Sequence, residues 1–192
     1  MSEATARPSN WNAPNAITGL RILLAPLVFW LVLIAGDNQW LRWAATLLFV
    51  AVLATDGIDG HLARSRGLVT DLGKILDPIA DKLVTNGVLI CLWVLGQLPW
   101  WVAALIVVRE VGITIWRLVE VGRGNVVPAS SGGKLKTVVQ SVAISFALAP
   151  LPLLWGDWMH WVNGALMSLA VVLTVTSGLA YVRDAIRLRS GA

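Results

Sequence analysis

Cysteine and charged residues are both scarce in this chain. Only one of its 192 residues is a cysteine, so no disulfide can form within the chain, and a disulfide-stapled secreted fold is excluded. Charged residues make up 14% of the sequence, against about 25% in a typical soluble domain, while apolar residues make up 57%. These proportions exclude an ordinary soluble domain and predict an all-α integral membrane protein.

Six apolar runs divide the sequence, and each is bounded by charged residues, glycine, proline or tryptophan. A membrane-spanning helix needs roughly 20 residues, so the chain has room for about six such helices with short loops. The runs cover residues 17–34, 41–54, 83–98, 99–119, 138–154 and 161–182. The second and third are short, and we expect both to continue as helices into the polar segment 56–82. We predict a six-helix transmembrane domain at 14–184, with tails at 1–13 and 185–192 and no cleavable signal peptide.

Basic residues and tryptophans indicate how these helices are oriented. With a cytosolic N-terminus, 13 of the 15 lysines and arginines fall on or near the cytosolic side, the exceptions being Arg42 and Arg109. Of the 11 tryptophans, all but Trp11 and Trp116 cluster at the opposite ends of the runs. The two biases predict a multi-pass protein of the cell inner (plasma) membrane with both termini in the cytosol. Because the basic residues lie at the cytosolic ends of the runs, the basic pI of about 9.8 indicates contact with a membrane surface and not with nucleic acid.

Acidic and small residues form two helical stripes between the second and third apolar runs. Spacings of three or four residues place side chains on one face of a helix. The first stripe contains Asp56, Asp59, Gly60, Ala63 and Arg64, and the second contains Gly73, Asp77 and Asp81. We predict a helical hairpin, with Thr70 or Asp71 capping its second helix, that brings the two stripes face to face.

The four stripe aspartates predict a metal site. Carboxylates that converge near a membrane surface repel one another and are costly to bury. Mg²⁺ or Mn²⁺ removes that cost, because hard cations favour carboxylate oxygens, and two such ions can clamp the oxygens of a phosphoryl group. The alternative is a solvated, salt-bridged loop, which has no need for two stripes of acids interleaved with glycines. We therefore predict two divalent ions held by Asp56, Asp59, Asp77 and Asp81, on the cytosolic side.

The order and spacing of these residues resemble the full signature of the CDP-alcohol phosphotransferase family. The string reads Asp56-x-x-Asp59-Gly60-x-x-Ala63-Arg64, then eight residues, then Gly73-x-x-x-Asp77-x-x-x-Asp81. The segment Pro14-Asn15-x-x-Thr18-x-x-Arg21 is also similar to the one that precedes the family's first span.

The resemblance implies an integral-membrane homodimer that moves a phosphatidyl group from CDP-diacylglycerol to an alcohol and releases CMP. It implies that Asp56, Asp59 and Asp77 hold the metal pair, with Asp81 as a neighbouring ligand and candidate catalytic base. It also implies a set of residues that bind the CDP moiety: Asp56, Asp59, Gly60, Ala63, Arg64, Gly73, Asp77 and Thr18.

Cations further along the chain predict a pocket for the phosphate of the acceptor. Arg109 and Glu110 lie among apolar residues, where unpaired charges are expensive, so both need partners. Arg109 and Arg117 are about two helical turns apart and can face one pocket. We predict that Arg109, Arg117, Lys134 and Lys136 bind the acceptor phosphate. The alternative is that these cations only anchor the helix ends at the membrane surface.

The same segments are similar to the branch of the family whose acceptor is sn-glycerol 3-phosphate. Residues 76–82 and 133–137 favour that branch over the one that uses inositol phosphate. They do not separate it from the branch that uses phosphatidylglycerol, and serine is a further alternative acceptor.

The alternatives outside the enzymes are a transporter and an interaction scaffold. A transport pathway needs acids at mid-depth, whereas these aspartates lie at one surface, and a scaffold has no use for clustered carboxylates.

Overall fold

The computed structural model describes the chain at residues 12–65, 70–122 and 131–190. Within those ranges, only the backbone is described for residues 56–65, 71, 72, 74, 75, 121, 131–134 and 184–190. All regular structure in the described ranges is helical, which confirms the all-α prediction. The helices are α1 (Ala13–Ala35), α2 (Gln39–Ser65), α3 (Asp71–Val94), α4 (Trp100–Gly122), α5 (Ser131–Leu148), α6 (Leu151–Trp155) and α7 (Trp158–Ser190).

Two described segments are long and apolar enough to cross a membrane, namely Ala13–Ala35 and Trp158–Arg183. The apolar parts of α2 and α5 are shorter, at Gln39–Thr55 and Leu135–Leu148. Helix α4 has the length of a span, but every 18-residue stretch of it carries at least three charged residues. The number of six spans and their orientation therefore stay predictions. The expected extension of α2 and α3 into the polar segment is confirmed, because α2 continues to Ser65 and α3 begins at Asp71.

The chain divides into two compact units, Met1–Val88 and Leu89–Ala192. In the first unit, α1 packs against α2. Helix α1 begins where the Asn12 side chain accepts a hydrogen bond from the Asn15 amide (2.9 Å), and Pro14 occupies its first turn. The buried side chains of α1 recur every three or four residues and so form one face: Pro14, Thr18, Arg21, Ala25, Val28, Val32 and Ala35.

In the second unit, a tight turn joins α3 to α4. The Gly96 amide donates to the Trp93 carbonyl (2.8 Å), and the Gln97 amide donates to the Leu92 carbonyl (2.9 Å). This pair of bonds is the Schellman motif, which places one residue in the left-handed region. Gly96 occupies that position with a φ of 71°, a conformation that other residues rarely adopt.

The fifth predicted span, at 138–154, is wrong as a single helix. Helix α5 begins earlier, at Ser131, and ends at Leu148, and the short α6 begins after Pro150. Proline has no amide hydrogen to donate and disfavours a helical conformation in the residue before it, so the helix stops at this point. Helices α4, α5 and α6 each pack against α7, which is therefore the central helix of the second unit.

Candidate functional site

Asp77 and Asp81 lie one helical turn apart on α3, in the first unit. The structure therefore places these two predicted metal ligands on the same side of one helix, with Gly73 one turn before them. The Asp81 side chain is 19% exposed, and its Oδ2 atom forms an ion pair with the Lys82 Nζ atom at 2.8 Å. Two partly exposed carboxylates on one helical face are donors of the kind that Mg²⁺ or Mn²⁺ prefers.

A hydrogen bond from α1 orients Asp77. The hydroxyl of Thr18 lies 2.6 Å from the Asp77 Oδ1 atom and 3.1 Å from the Pro14 carbonyl oxygen. A hydroxyl has one proton, and the carboxylate is the nearer and stronger acceptor, so Thr18 donates to Asp77. Thr18 is completely buried. The residue predicted to contact CDP is thus located behind a predicted metal ligand, where it fixes one carboxylate oxygen.

The start of α3 is also tied to the start of α1. Thr70 is the residue that caps α3, because its hydroxyl accepts a hydrogen bond from the Gly73 amide (3.0 Å), so of the two predicted caps the structure selects Thr70. The same hydroxyl accepts a second bond from the Asn15 Nδ2 atom at 2.9 Å. A Cβ atom on Gly73 would lie 2.7 Å from the Asn15 Oδ1 atom, so a larger residue here would displace the Asn15 side chain from its place beside Thr70.

The other predicted members of the aspartate site are known only by their backbone. Residues 56–65 belong to α2, but the side chains of Asp56, Asp59 and Arg64 lie outside the described residues, as do the side-chain surroundings of Gly60 and Ala63. Among the described side chains, no group of three or more His, Cys, Asp or Glu residues could hold a metal ion. That finding extends to only two of the four predicted ligands.

A buried cluster of charges occupies the second unit, and it supplies the partners that Arg109 and Glu110 need. The Glu110 Oε1 atom accepts a hydrogen bond from Arg109 Nη1 at 2.6 Å and forms an ion pair with the Lys136 ammonium. Arg109 also donates to the Ser177 hydroxyl at 2.8 Å. Glu110 is 2% exposed and Lys136 is 1% exposed. The cluster therefore joins α4, α5 and α7 by contacts that satisfy charges in an apolar setting.

Two aromatic rings complete this cluster, Tyr181 on α7 and Trp116 on α4. The guanidinium carbon of Arg109 lies 5.6 Å from the centre of the Tyr181 ring, within the range of a cation–π interaction. The Tyr181 ring in turn meets the ring of Trp116 edge-on, with centroids 6.2 Å apart. Sequence reasoning missed Ser177 and Tyr181. The available signal was their spacing of four residues, which places both on one face of α7.

The four cations predicted to bind the acceptor phosphate are in different settings. Arg109 and Lys136 belong to the buried cluster, with Arg109 15% exposed. Arg117 is exposed on α4, and the side chain of Lys134 lies outside the described residues. The structure thus brings Arg109 and Lys136 together around one carboxylate.

Comparison with known proteins identifies the same family that the signature resembles. A family model described as CDP-alcohol phosphatidyltransferase matches residues 11–176 of this chain. The match includes both aspartate stripes, the α1 segment with Thr18, and the Arg109, Glu110 and Lys136 cluster.

Several curated relatives are similar over most of their length. A probable phosphatidylglycerophosphate synthase of Mycobacterium tuberculosis (strain H37Rv) is 44% identical over 178 residues, which cover 92% of this chain and 82% of the relative. A CDP-diacylglycerol–glycerol-3-phosphate 3-phosphatidyltransferase of Bacillus subtilis is 37% identical, with coverages of 89% and 93%. A protein of that name from Escherichia coli (strain K12) is 35% identical, with coverages of 91% and 95%.

Proposed function

Since this chain belongs to the CDP-alcohol phosphatidyltransferase family, we propose that it transfers a phosphatidyl group from CDP-diacylglycerol to sn-glycerol 3-phosphate. The products are phosphatidylglycerophosphate and CMP, and the reaction is a step of phospholipid biosynthesis. The observation that carries this proposal is the identity of 35–44%, over most of the chain, to proteins named for that reaction.

We propose that the reaction depends on two divalent cations, Mg²⁺ or Mn²⁺, held by Asp56, Asp59, Asp77 and Asp81. The chemistry of the described ligands supports this, since Asp77 and Asp81 present carboxylate oxygens from successive turns of α3. Such ions supply charge neutralisation for the pyrophosphate of the donor. The Thr18 hydroxyl holds one oxygen of Asp77 and leaves the orientation of that carboxylate fixed before the donor binds.

The remaining catalytic work falls to side chains of this protein. The signature residues Gly60, Ala63, Arg64 and Gly73 hold the CDP moiety at the cytosolic surface, while the acyl chains of the donor stay in the bilayer. Asp81 orients the acceptor hydroxyl and takes its proton, so that the oxygen attacks the phosphorus nearest the diacylglycerol. The bond between that phosphorus and the CMP oxygen breaks, and CMP leaves with the electron pair. Arg109, Arg117, Lys134 and Lys136 bind the acceptor phosphate.

We also propose that the protein spans the inner membrane six times as a homodimer, with both termini and the aspartate site on the cytosolic side. Thirteen of the 15 basic residues support that orientation. The exposed positions of Trp40, Trp100, Trp101, Trp155 and Trp161 support the placement of these helix ends at a membrane surface, because tryptophan favours the membrane–water interface.

The acceptor is tested by supplying alternatives in turn to the protein purified in detergent. CDP-diacylglycerol is mixed with glycerol 3-phosphate, phosphatidylglycerol, inositol phosphate or serine, and both CMP release and the lipid product are measured. We expect CMP release with glycerol 3-phosphate and a product that carries its phosphate. Formation of cardiolipin from phosphatidylglycerol, with no turnover of glycerol 3-phosphate, would refute the proposed acceptor.

The metal requirement is tested at Asp77. We expect Asp77→Ala, like Asp56→Ala, to abolish metal-dependent CMP release, because the proposed ligand set loses one of its four carboxylates. The measurement is CMP release across a titration of Mg²⁺ and of Mn²⁺, with Asp37→Ala as the control, since Asp37 is an exposed aspartate between α1 and α2. Retention of most activity in Asp77→Ala would exclude the two-metal scheme.

A further inference from the structure

The reaction proposed above gives no role to Glu110, although this carboxylate lies buried between two of the proposed acceptor-binding cations. Glu110 is 2% exposed and Lys136 is 1% exposed, so both charges are removed from water. Burying an ion pair costs desolvation free energy, and apolar residues of similar volume often join two elements at least as well. Stability alone is therefore a weak explanation for the pair, although the cluster does join three helices.

The described contacts of the cluster show how each of the two cations is held. Arg109 reaches Glu110 at 2.6 Å, but it is also held by the Ser177 hydroxyl at 2.8 Å and lies against the Tyr181 ring. Those two contacts come from α7 and remain when the carboxylate is removed. Lys136 comes from α5, 26 residues away from Glu110 along the chain. Its ammonium sits on a flexible four-carbon stem, so a fixed position requires a strong partner such as this carboxylate.

We propose that Glu110 is a positioning residue, which fixes the Lys136 ammonium beside Arg109, the more exposed of the two cations, so that the pair presents a preformed positive charge to the acceptor phosphate. This inference rests on the proposed function, because the acceptor phosphate is the anion that these cations are proposed to bind. One carboxylate neutralises only one of two cations, so the three side chains keep a net charge of +1 for an anion. A preformed pair binds more tightly, because its side-chain entropy is lost before the acceptor arrives.

The test compares KM with kcat for both substrates in Glu110→Gln, which keeps the shape of the side chain and removes its charge. We expect the KM for glycerol 3-phosphate to rise by at least about tenfold, as for loss of one charge-assisted contact, with kcat and the donor KM little changed. Glu110→Asp keeps the charge on a shorter stem and should give a smaller rise. The matched control is Glu120→Gln, since Glu120 is another buried glutamate of α4, outside the cluster.

A double-mutant cycle asks whether Glu110 acts through Lys136. The KM for glycerol 3-phosphate is measured in Lys136→Met and in the Glu110→Gln/Lys136→Met double variant. If the Glu110 carboxylate acts by holding the Lys136 ammonium, removing the carboxylate should have little further effect on this KM once the ammonium is absent. The double variant should then have the same KM as Lys136→Met. Increases that multiply in the double variant would show independent roles and would overturn the proposal.

The remaining outcomes separate this inference from the proposed function. A lower melting temperature of Glu110→Gln with an unchanged KM for the acceptor would show that Glu110 only stabilises the packing of the helices. That result would overturn the proposal. A fall in that KM would also overturn it, since the carboxylate would then mask the lysine. If Glu110→Gln does not fold, Glu110→Asp replaces it. A rise in the KM for the acceptor then supports the proposal, and an unchanged or lower KM overturns it. If the wild-type protein prefers a different phosphorylated acceptor, the proposed function is refuted. The same Glu110 variants, measured with that acceptor, would still test the role of Glu110.

Discussion

At the scale of single residues, the hydrogen bond from Thr18 to Asp77 is a contact that sequence spacing could not reveal. The two residues are 59 positions apart, and a threonine in an apolar helix more often donates to a carbonyl of its own helix. Here the hydroxyl is completely buried and is directed at a carboxylate of another helix. The consequence is that one oxygen of a proposed metal ligand is held in place by a neutral donor.

Replacing Thr18 by valine keeps the shape of the side chain and removes this bond. We expect Thr18→Val to lower activity or Mg²⁺ affinity by about ten- to a hundredfold, the effect typical of losing a group that orients a metal ligand. The measurement is CMP release as a function of Mg²⁺ concentration. Thr18→Ser should retain most of the activity, because it keeps the hydroxyl.

The control for Thr18→Val is Thr46→Val in the same unit. Thr46 is also buried, but its hydroxyl donates to the Arg42 carbonyl of its own helix at 2.8 Å. We expect Thr46→Val to leave the Mg²⁺ dependence unchanged. An equal loss of Mg²⁺ affinity in both variants would attribute the effect to a buried hydroxyl in general and contradict the orienting role of Thr18.

Gly73 tests the close approach of α3 to α1. An added Cβ would lie 2.7 Å from the Asn15 Oδ1 atom and 3.2 Å from the Thr70 Oγ1 atom, and it would disturb the bond between those side chains. We expect Gly73→Ala to lower the free energy of unfolding by about 1 kcal/mol, the usual cost of one lost hydrogen bond, because the Asn15 side chain has to move away from Thr70. The measurement is thermal unfolding in detergent. The control is Gly19→Ala, where an added Cβ meets no atom within 4 Å, and an equal loss of stability there would contradict the steric explanation.

At the scale of elements, the turn between α3 and α4 depends on the left-handed conformation of Gly96. We expect Gly96→Ala to lower the free energy of unfolding by about 1 kcal/mol, because a Cβ is strained at a φ of 71°. Thermal unfolding in detergent checks this against Gly164→Ala, an exposed position inside α7 with no atom near an added Cβ. There the substitution should raise stability by up to about 1 kcal/mol, since alanine is the better helix former. Equal effects of the two changes would contradict the turn assignment.

The ends of helices could be predicted where one sequence pattern dominates. They could not be predicted where two patterns, such as hydropathy and proline position, disagree. The polar segment correctly predicted that α2 and α3 extend beyond their apolar runs, because helix-compatible stripes continue there. Apolar character alone predicted a fifth helix through 138–154, but Pro150 breaks it, so backbone chemistry outweighs hydropathy at that point. For the cap of α3 the sequence left Thr70 and Asp71 open, and only the hydrogen bond from the Gly73 amide decides between them.

At the scale of the whole molecule, the proposed orientation can be tested by labelling introduced cysteines. Cys91 is the only cysteine, so Cys91→Ala gives a background without thiols. With both termini inside, Asp37→Cys and Gln97→Cys, at exposed turns, should react with an impermeant maleimide on intact spheroplasts. Ser2→Cys should react only after permeabilisation, and serves as the control. Labelling of Ser2→Cys but not of Asp37→Cys in intact spheroplasts would contradict the orientation.

The contacts that define the candidate site join distant parts of the chain, which limits what one sequence can predict. The need for partners at Arg109 and Glu110 followed from their apolar surroundings, and it is confirmed. The identity of the partners did not follow from the sequence. Lys136 is 26 residues from its partner Glu110, and Ser177 is 68 residues from its partner Arg109. Periodicity assigns residues to a face of a helix, but which faces meet is decided by packing.

The buried charge cluster also has a consequence for how the protein is made. In the proposed topology, α4 emerges from the ribosome before α5 and long before α7, so Arg109 and Glu110 arrive at the translocon before Lys136 and Ser177 have been made. Release of α4 into lipid alone exposes two polar groups to hydrocarbon, which is unfavourable. Stable insertion of α4 is therefore coupled to synthesis of the last third of the chain, and a nascent chain stalled before Ser177 should leave α4 open to quality-control proteases.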